Sequence, residues 1–166
     1  MRIAFLVSVL AMALALGASP LRAQAVSPFS GPGASSAPVE ISADLFEITE
    51  ADRQAVFSGN VIVTQDDFRL TSARVVVHYG PAGQTEIETL VSPGPTRIDY
   101  AGQTATGNQA QFEVAARVLK ISGDVRVQNQ TGTFTGPELV VDLARGTTAF
   151  GGGGGGRVTG VFTPGG

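Results

Sequence analysis

From residue 39 to residue 161, apolar and polar residues alternate in short runs that glycine, proline, asparagine or aspartate separates. Alternation with a period of two is typical of strands with one buried face, and the separating residues favour turns. No stretch keeps the period of 3.6 residues that an amphipathic helix requires. The pattern predicts an all-β protein with strands at 39–43, 45–49, 55–57, 60–65, 68–72, 74–79, 87–92, 96–101, 103–106, 110–113, 118–122, 125–129, 132–135, 139–143, 147–150 and 157–161.

One seven-residue motif occurs twice, as Phe-Ser-Gly-Asn-Val-Ile-Val at 57–63 and as Ile-Ser-Gly-Asp-Val-Arg-Val at 121–127. The spacing is 64 residues, and the match continues outside the motif without a gap, since Arg53 falls on Arg117. A weaker copy at 94–112 gives a unit of about 30 residues, within the range of repeat architectures. Turns that recur every eight to twelve residues favour a sandwich, a barrel or a jellyroll-like solenoid.

The alternating apolar residues predict the inner face of the fold. One interpretation is an ordinary packed core, and the other is a slit between two sheets that leaves an apolar groove. The residues expected on this face are Phe57, Val61, Val63, Leu70, Val75, Val77, Ile98, Phe112, Leu119, Ile121, Val125, Val127, Phe134, Leu139 and Val141.

The first 25 residues have the parts of a secretory signal peptide: the basic Arg2, an apolar run at 3–16, and the small-x-small sequence that ends at Ala25. The apolar run is shorter than the roughly 20 residues that a membrane-spanning helix needs. We therefore expect cleavage after Ala25 and export of the chain. Residues 26–38 carry no charge and are rich in serine, proline and glycine, which predicts a flexible lead-in before a single β domain at 39–164.

Composition narrows the possible functions. Without Arg2 and Arg22 the chain has nine basic and fourteen acidic side chains, a net charge of −5, which argues against a nucleic-acid partner. The chain has no cysteine, so disulfides, thiol catalysis and cysteine metal clusters are excluded. The 141 residues that remain after cleavage fit one domain with a core of its own.

Few residues could carry catalysis. His78 is the only histidine, which excludes a cluster of histidine metal ligands, and no nucleophile motif surrounds a serine. Glu86 and Glu88 share one strand face, Asp66 and Asp67 are adjacent in a turn, and each pair could flank a sugar or bind calcium. Solvated charges that protect strand edges are the simpler interpretation of both pairs. We predict that the chain is not an enzyme and that it needs no metal or cofactor.

Several segments together resemble one known family. They are the predicted signal peptide, Ile-Ser-Ala-Asp at 41–44, the motif with its extension at 57–65, the strand at 70–77 and the closing segment at 156–164. Because these segments follow one another in this order, residues 39–164 are similar to the LptA/OstA family of periplasmic lipopolysaccharide transport proteins. The glycine run at 151–156 and the lead-in at 26–38 depart from that pattern.

The resemblance implies a twisted, open β-jellyroll in which two facing antiparallel sheets, built from internal β repeats, hold lipid acyl chains between them. It implies binding of lipopolysaccharide and its lipid A part in the periplasm. It also implies a bridge of like folds between an inner-membrane LptC-like protein and an outer-membrane LptD-like translocon. Under this interpretation the fifteen inner-face residues bind lipid, and the anionic head group contacts rim arginines, for which the candidates are Arg69, Arg74, Arg97 and Arg117.

Two other functions stay open from the residues alone. The chain could be an exported structural or scaffold protein with a filled core and no lipid ligand, or a lectin-like glycosidase that uses Glu86 and Glu88. Strands at the two ends of a repeat that does not close leave unpaired N–H and C=O groups. Because end-to-end pairing is a head-to-tail contact, the edge strands at 39–43, 147–150 and 157–161 predict linear homo-oligomers.

Overall fold

The computed structural model describes residues 37–83, 86–151 and 156–162. The signal peptide predicted at 1–25, the lead-in as far as residue 36, and the glycines at 152–155 lie outside these ranges. Within them every regular element is a strand, and no helix there is long and apolar enough to cross a membrane.

The structure has fewer and longer strands than the sequence predicts, because eight of the sixteen predicted segments join in pairs to form β3, β4, β9 and β10. The strands are β1 (Glu40–Ser42), β2 (Leu45–Thr49), β3 (Gln54–Gln65), β4 (Phe68–Tyr79), β5 (Ile87–Ser92), β6 (Thr96–Tyr100), β7 (Gln103–Gly107), β8 (Gln109–Glu113), β9 (Val118–Asn129), β10 (Gly132–Asp142), β11 (Thr147–Phe150) and β12 (Thr159–Phe162).

Each long strand bends near its middle, and its two arms pair with different neighbours. In β3, residues 54–58 pair with β2, whereas residues 62–64 pair with β1. Elsewhere two consecutive short strands take the place of the two arms of one long strand. The fold is therefore an antiparallel meander of eight bent units, which we call ribs. Ribs 1 to 8 are, in order, β1 with β2, β3, β4, β5 with β6, β7 with β8, β9, β10, and β11 with β12.

One arm of every rib belongs to sheet 1, ordered β2-β3-β4-β5-β8-β9-β10-β11, and the other to sheet 2, ordered β1-β3-β4-β6-β7-β9-β10-β12. Residues of both sheets share the same buried clusters: Val75 of sheet 1 with Val61 of sheet 2, and Leu119 of sheet 1 with Val127 of sheet 2. The sheets therefore face each other, joined along the bends. The predicted open jellyroll of two facing antiparallel sheets is confirmed.

The two copies of the repeated motif form the bends of ribs 2 and 6. Gly59 and Asn60 have φ angles of 78° and 48°, and Gly123 and Asp124 have φ angles of 77° and 50°. Glycine reaches this left-handed region without steric cost, and asparagine and aspartate reach it more easily than other residues. A break in the β3–β4 ladder between Ser58 and its next paired residue marks the bend. The strand continues through a turn signal that, by itself, predicts a strand end.

An Asp–Asn pair ties each of these bends to the preceding rib. Asn60 Nδ2 donates to Asp44 Oδ2 at 2.8 Å, and Asn108 Nδ2 donates to Asp124 Oδ2 at 3.3 Å. The backbone N–H groups of Asp44 and Asn108 each donate to the carbonyl oxygen of the bend glycine at 2.9 Å. Asp44 and Asn108 are one repeat apart, as are Asn60 and Asp124. The aspartate and the asparagine are therefore swapped between the two copies of the repeat, but both copies keep the hydrogen bond. The predicted internal repeat extends to individual hydrogen bonds.

A polar cluster on sheet 2 joins β6 to β7. Arg97 Nε and Nη2 donate to the two carboxylate oxygens of Asp99, both at 2.8 Å, and the Thr104 hydroxyl donates to Asp99 Oδ1 at 2.6 Å. The hydrogen bonds from Arg97 hold the pKa of Asp99 below its ordinary value, the Thr104 hydroxyl and the charges of Arg97 and Arg69 act in the same direction, and partial burial opposes them. Asp99 therefore stabilises the fold in its ionised form.

We expect Gly123→Ala to destabilise the fold more than Gly102→Ala. Both glycines have positive φ, 77° and 76°, but a Cβ at Gly123 would lie 2.8 Å from the Asn108 Cβ, whereas a Cβ at Gly102 would meet nothing within 4 Å. Strain alone costs about 1 kcal/mol, and the close contact should raise the loss at Gly123 to about 2–3 kcal/mol. Urea unfolding measures both values, and equal losses would show that the approach of ribs 5 and 6 at this bend contributes nothing.

The Asp99 cluster gives a prediction for pH dependence. Because the pKa of Asp99 is lower in the folded chain, its contribution is present above the pKa of the unfolded state, about 3.9, and is lost as the pH falls through the folded value. Asp99→Asn should therefore be less stable than the wild type at neutral pH, and the difference should shrink below about pH 4. Thermal melts between pH 2 and pH 7 test this, with Asp67→Asn in the exposed β3–β4 turn as the control.

Candidate apolar binding groove

A cavity of about 280 Å³ lies between the two sheets in the first half of the fold. It is bounded by ribs 1 to 5 and by the start of rib 6, and we call it the groove. Fourteen of its sixteen lining residues are apolar. The lining residues are Val39, Ile41, Val63, Phe68, Leu70, Val75, Val77, Ile87, Leu90, Val91, Ser92, Ala110, Gln111, Phe112, Val114 and Leu119.

The two sheets supply opposite walls of the groove. Val63 and Leu70, which pair with each other across β3 and β4, come from sheet 2, and Val77 and Leu90, which pair across β4 and β5, come from sheet 1. Val39 and Ile87 are 48% and 42% exposed, so the groove reaches solvent beside β1 and the start of β5. The groove is therefore an apolar slot with its mouth near the N-terminal end of the meander.

Buried hydroxyl groups meet where rib 4 bends at the edge of the groove. Ser92, which is 3% exposed, donates to Ser72 Oγ at 2.7 Å and lies 2.5 Å from Thr96 Oγ1. The Thr96 hydroxyl donates to the Gly94 carbonyl at 2.8 Å. These groups satisfy one another, because a buried hydroxyl without a partner would destabilise the fold. The polar atoms at this end of the groove are therefore already bonded to protein.

The fifteen predicted lipid-binding residues all belong to strands, and twelve of them are buried, with Phe57, Leu70 and Phe134 partly exposed. The structure divides them between two environments. Six line the groove: Val63, Leu70, Val75, Val77, Phe112 and Leu119. The other nine do not line it, and most of them pack against one another in the interior: Phe57, Val61, Ile98, Ile121, Val125, Val127, Phe134, Leu139 and Val141.

The other ten residues that line the groove are not among the fifteen that the alternating pattern predicts. Ile87 and Leu90 are three apart, yet both line the groove, because the β4–β5 ladder is irregular between His78 and Tyr79. Such an irregularity breaks the period of two, so no pattern in the sequence indicates it. For Ile41 the sequence does contain an indication of an inner position. The 64-residue repeat aligns Ile41 with Ala105, which is completely buried.

The four candidate rim arginines do not come together at the groove. Arg97 is bound to Asp99, and Arg69 pairs opposite Asp99 across β4 and β6, on the surface of sheet 2. Arg74 follows the bend of β4 and is exposed. Only Arg117 of the four lies in a hairpin turn on the open side of the jellyroll, where its carbonyl accepts the Leu143 N–H at 2.9 Å. The arrangement contains no cluster of these four side chains.

The other candidate residues have structural surroundings. Glu86 Oε2 accepts the backbone N–H of Ala82 at 3.1 Å in the β4–β5 turn, and His78 lies on β4 opposite Thr89. Across 37–83, 86–151 and 156–162, no group of three or more histidine, aspartate or glutamate side chains could hold a metal ion. A larger depression of about 710 Å³ runs along the bends, but it is open and is lined mostly by polar residues such as Asn60 and Asp124. Of these two cavities, which are lined by described residues, the groove is the more enclosed and the more apolar.

Comparison with solved structures agrees with the fold. The crystal structure of LptH, described as the LptA-homologous periplasmic component of the lipopolysaccharide transport device of Pseudomonas aeruginosa, matches with a TM-score of 0.68 and 24% identity. The match covers 80% of this chain and 100% of the LptH chain. The two proteins share the β-jellyroll architecture.

Two of the curated relatives are named as lipopolysaccharide export proteins. The lipopolysaccharide export system protein LptH of Pseudomonas aeruginosa is 28% identical over 116 residues, which cover 65% of this chain and 65% of LptH. The lipopolysaccharide export system protein LptA of Escherichia coli is 26% identical over 128 residues, which cover 74% of this chain and 69% of LptA. The chain thus spans about two thirds of the length of these relatives. Their names agree with the prediction that the chain is not an enzyme.

A family model described as the LptA/(LptD N-terminal domain) LPS transport protein matches residues 40–147. These residues include ten complete strands and all fifteen predicted inner-face residues. They also include both copies of the bend motif. The resemblance predicted from the sequence is confirmed, and the chain belongs to the LptA/LptD N-terminal domain family.

Proposed function

We propose that the chain binds the acyl chains of lipopolysaccharide in the groove and carries them through the periplasm. The observation that carries this proposal is an enclosed apolar slot between the sheets of a protein from a lipopolysaccharide transport family. Exposing a methylene group to water costs about 0.8 kcal/mol, so a carrier of lipid tails needs a continuous apolar lining and no catalytic groups. The groove residues meet this requirement.

The size of the groove bears on how the lipid is held. At about 280 Å³, it is at the lower limit of the roughly 300–1,000 Å³ typical of small-molecule sites. A lipid with several acyl chains would therefore have to widen it. The six predicted residues that line the groove would make the first contacts, and the other nine would join only as the sheets separate. Since the backbone connects the two sheets only along the bends, while side-chain packing holds them elsewhere, they can separate at the hairpin side.

We further propose that the chain works in the periplasm as one element of a bridge, with an LptC-like protein at the inner membrane and an LptD-like translocon at the outer membrane. The relative LptH is described as periplasmic, and a signal peptide at residues 1–25 would export this chain. An apolar lining continues from one protein to the next only if their sheets are stacked in register. The ends of the meander are suited to that stacking.

Within the described residues, both ends of the meander present an apolar strand that is paired on one side only. All five residues of β2 and all four of β12 are exposed. Phe46 and Ile48 at one end, and Val161 and Phe162 at the other, are between 41% and 66% exposed. Rib 8 runs from sheet 1 to sheet 2, and rib 1 runs from sheet 2 to sheet 1, so a second copy that follows the first continues the antiparallel order. Such contacts give open head-to-tail filaments.

The alternative is an exported scaffold with a filled core. The observation in its favour is the dense packing of the second half, where Val125, Ile121, Leu139 and Val141 are all 1% exposed. A scaffold of this kind would bind no lipid. Lipid crosslinking decides between the two functions.

A photo-crosslinking residue at Val63 or Leu90 should capture lipopolysaccharide, whereas one at Thr64 should not. Val63 and Leu90 line the groove, but Thr64 is adjacent to Val63 in β3 and faces the other side of the sheet. The yield of lipid-linked protein on gels, detected with an antibody to lipid A, measures the difference. Labelling at all three positions would show that no groove is used, and absence of lipid at every position would favour the scaffold.

Ile41→Pro should reduce assembly, because it removes a backbone N–H from the edge strand β1. Static light scattering over a dilution series should show an average mass that rises with concentration for the wild type and stays near that of the monomer for the variant. Ile41→Val is the matched control, since it keeps the N–H and the strand preference. A monomeric wild type, or oligomers that proline leaves unchanged, would refute assembly through this edge.

A further inference from the structure

The volume of the groove limits how much hydrocarbon it can enclose. An apolar cavity of about 150 Å³ lined by leucine, isoleucine and phenylalanine holds one benzene ring, which has six carbon atoms. In proportion, the groove of about 280 Å³ holds about eleven carbon atoms. This amount of hydrocarbon corresponds to one acyl chain of about ten to twelve carbons.

The groove is long compared with its volume. Its lining residues come from six neighbouring ribs, from Ile41 in rib 1 to Leu119 in rib 6. Adjacent strands are about 4.8 Å apart, so the five spacings between these ribs extend over about 24 Å. The length of the slot therefore does not limit a bound chain, but its volume does. A slot of this shape suits one extended chain better than several chains side by side.

The polar groups beside the groove are not available to a lipid head. Among the lining residues that the structure describes, Ser92 alone carries a hydroxyl group, and that hydroxyl is bonded to Ser72 and Thr96. The other polar lining residue, Gln111, also borders a separate polar depression. Because a polar head buried without hydrogen-bond partners is unfavourable, the head of a bound lipid stays in water at the mouth of the groove.

Leu119 lies between the groove and the packed second half of the fold. Its side chain lines the groove, is 2% exposed, and belongs to the same buried cluster as Ile121 and Leu139. Ala110, in the neighbouring rib, also lines the groove and presents only a methyl group. The sizes of these two side chains therefore limit how far a bound chain extends towards the second half.

We propose that the groove of a free molecule encloses one acyl chain of about ten to twelve carbons, with the head group in water at the mouth. The inference rests on the proposed binding of acyl chains. It adds a second class of ligand, because single-chain amphiphiles of this length then bind without separation of the two sheets. A lipid with several acyl chains places one of them in the groove, and the others enter only as the sheets separate.

A series of alkyl maltosides with about six to sixteen chain carbons tests the length. Binding to the wild type is measured by titration calorimetry, with each compound below the concentration at which it forms micelles. Affinity should rise about fourfold for each added methylene up to about eleven carbons and then level off, with one ligand bound per protein chain. A rise that continues to the longest compound, or two ligands bound per protein chain, would refute the proposal.

Two variants should move the length at which affinity levels off. Leu119→Ala removes three carbon atoms from the wall, so the limit should become about three carbons longer. Ala110→Val adds two carbon atoms and should make the limit about two carbons shorter. Leu143→Ala is the matched control, because Leu143 packs against the same buried cluster as Leu119 but does not line the groove. Thermal melts establish that each variant is folded.

The outcomes separate the two proposals. If lipopolysaccharide is captured at Val63 or Leu90 but no maltoside binds, the single-chain site is refuted and acyl-chain binding stands. If neither lipopolysaccharide nor any maltoside binds, both are refuted. A limit that stays the same in Ala110→Val and in Leu119→Ala refutes the single-chain site alone. A limit that moves in these two variants, and not in Leu143→Ala, supports both proposals.

Discussion

The fold depends on one constraint: each rib of the meander must pass from one sheet to the other without losing its hydrogen-bonded neighbours. Left-handed residues at Gly59–Asn60 and Gly123–Asp124 make two of these bends, and side-chain bonds to Asp44 and Asn108 hold them to the adjacent ribs. The bends of successive ribs lie side by side, so the antiparallel ladder folds over along the row of bends. The apolar faces of the two arms of each rib therefore face each other. Facing sheets, a shared core and a slot between them all follow from the bend.

The distribution of polar groups follows from the same geometry. Hydroxyl groups at the bend of rib 4 bond to one another, and the carboxylate of Asp99 is bound on the surface of sheet 2. These polar side chains bond to protein groups at the bend and on the surface, and the walls of the groove are mostly apolar. Among the described residues, no group of three or more acidic or histidine side chains could hold a metal ion.

The interior is not uniform along the meander. Ribs 1 to 5 enclose the groove, whereas the second half is filled by side chains such as Ile121 and Leu139 and ends in the rings of Phe134, Phe150 and Phe162. The two ends of the meander therefore differ, because the groove lies nearer the N-terminal end.

The sequence by itself determined the all-β class, the 64-residue repeat and the inner face, since period-two alternation and turn residues are local signals. Tertiary structure decided which turn signals end a strand: at Gly59–Asn60 the chain bends but stays in the ladder, because neighbouring ribs hold it there. It also decided which inner-face residues line a void. Val63 and Val127 are one repeat apart in equivalent positions, yet only Val63 borders the groove, because the side chains facing each of them come from distant segments.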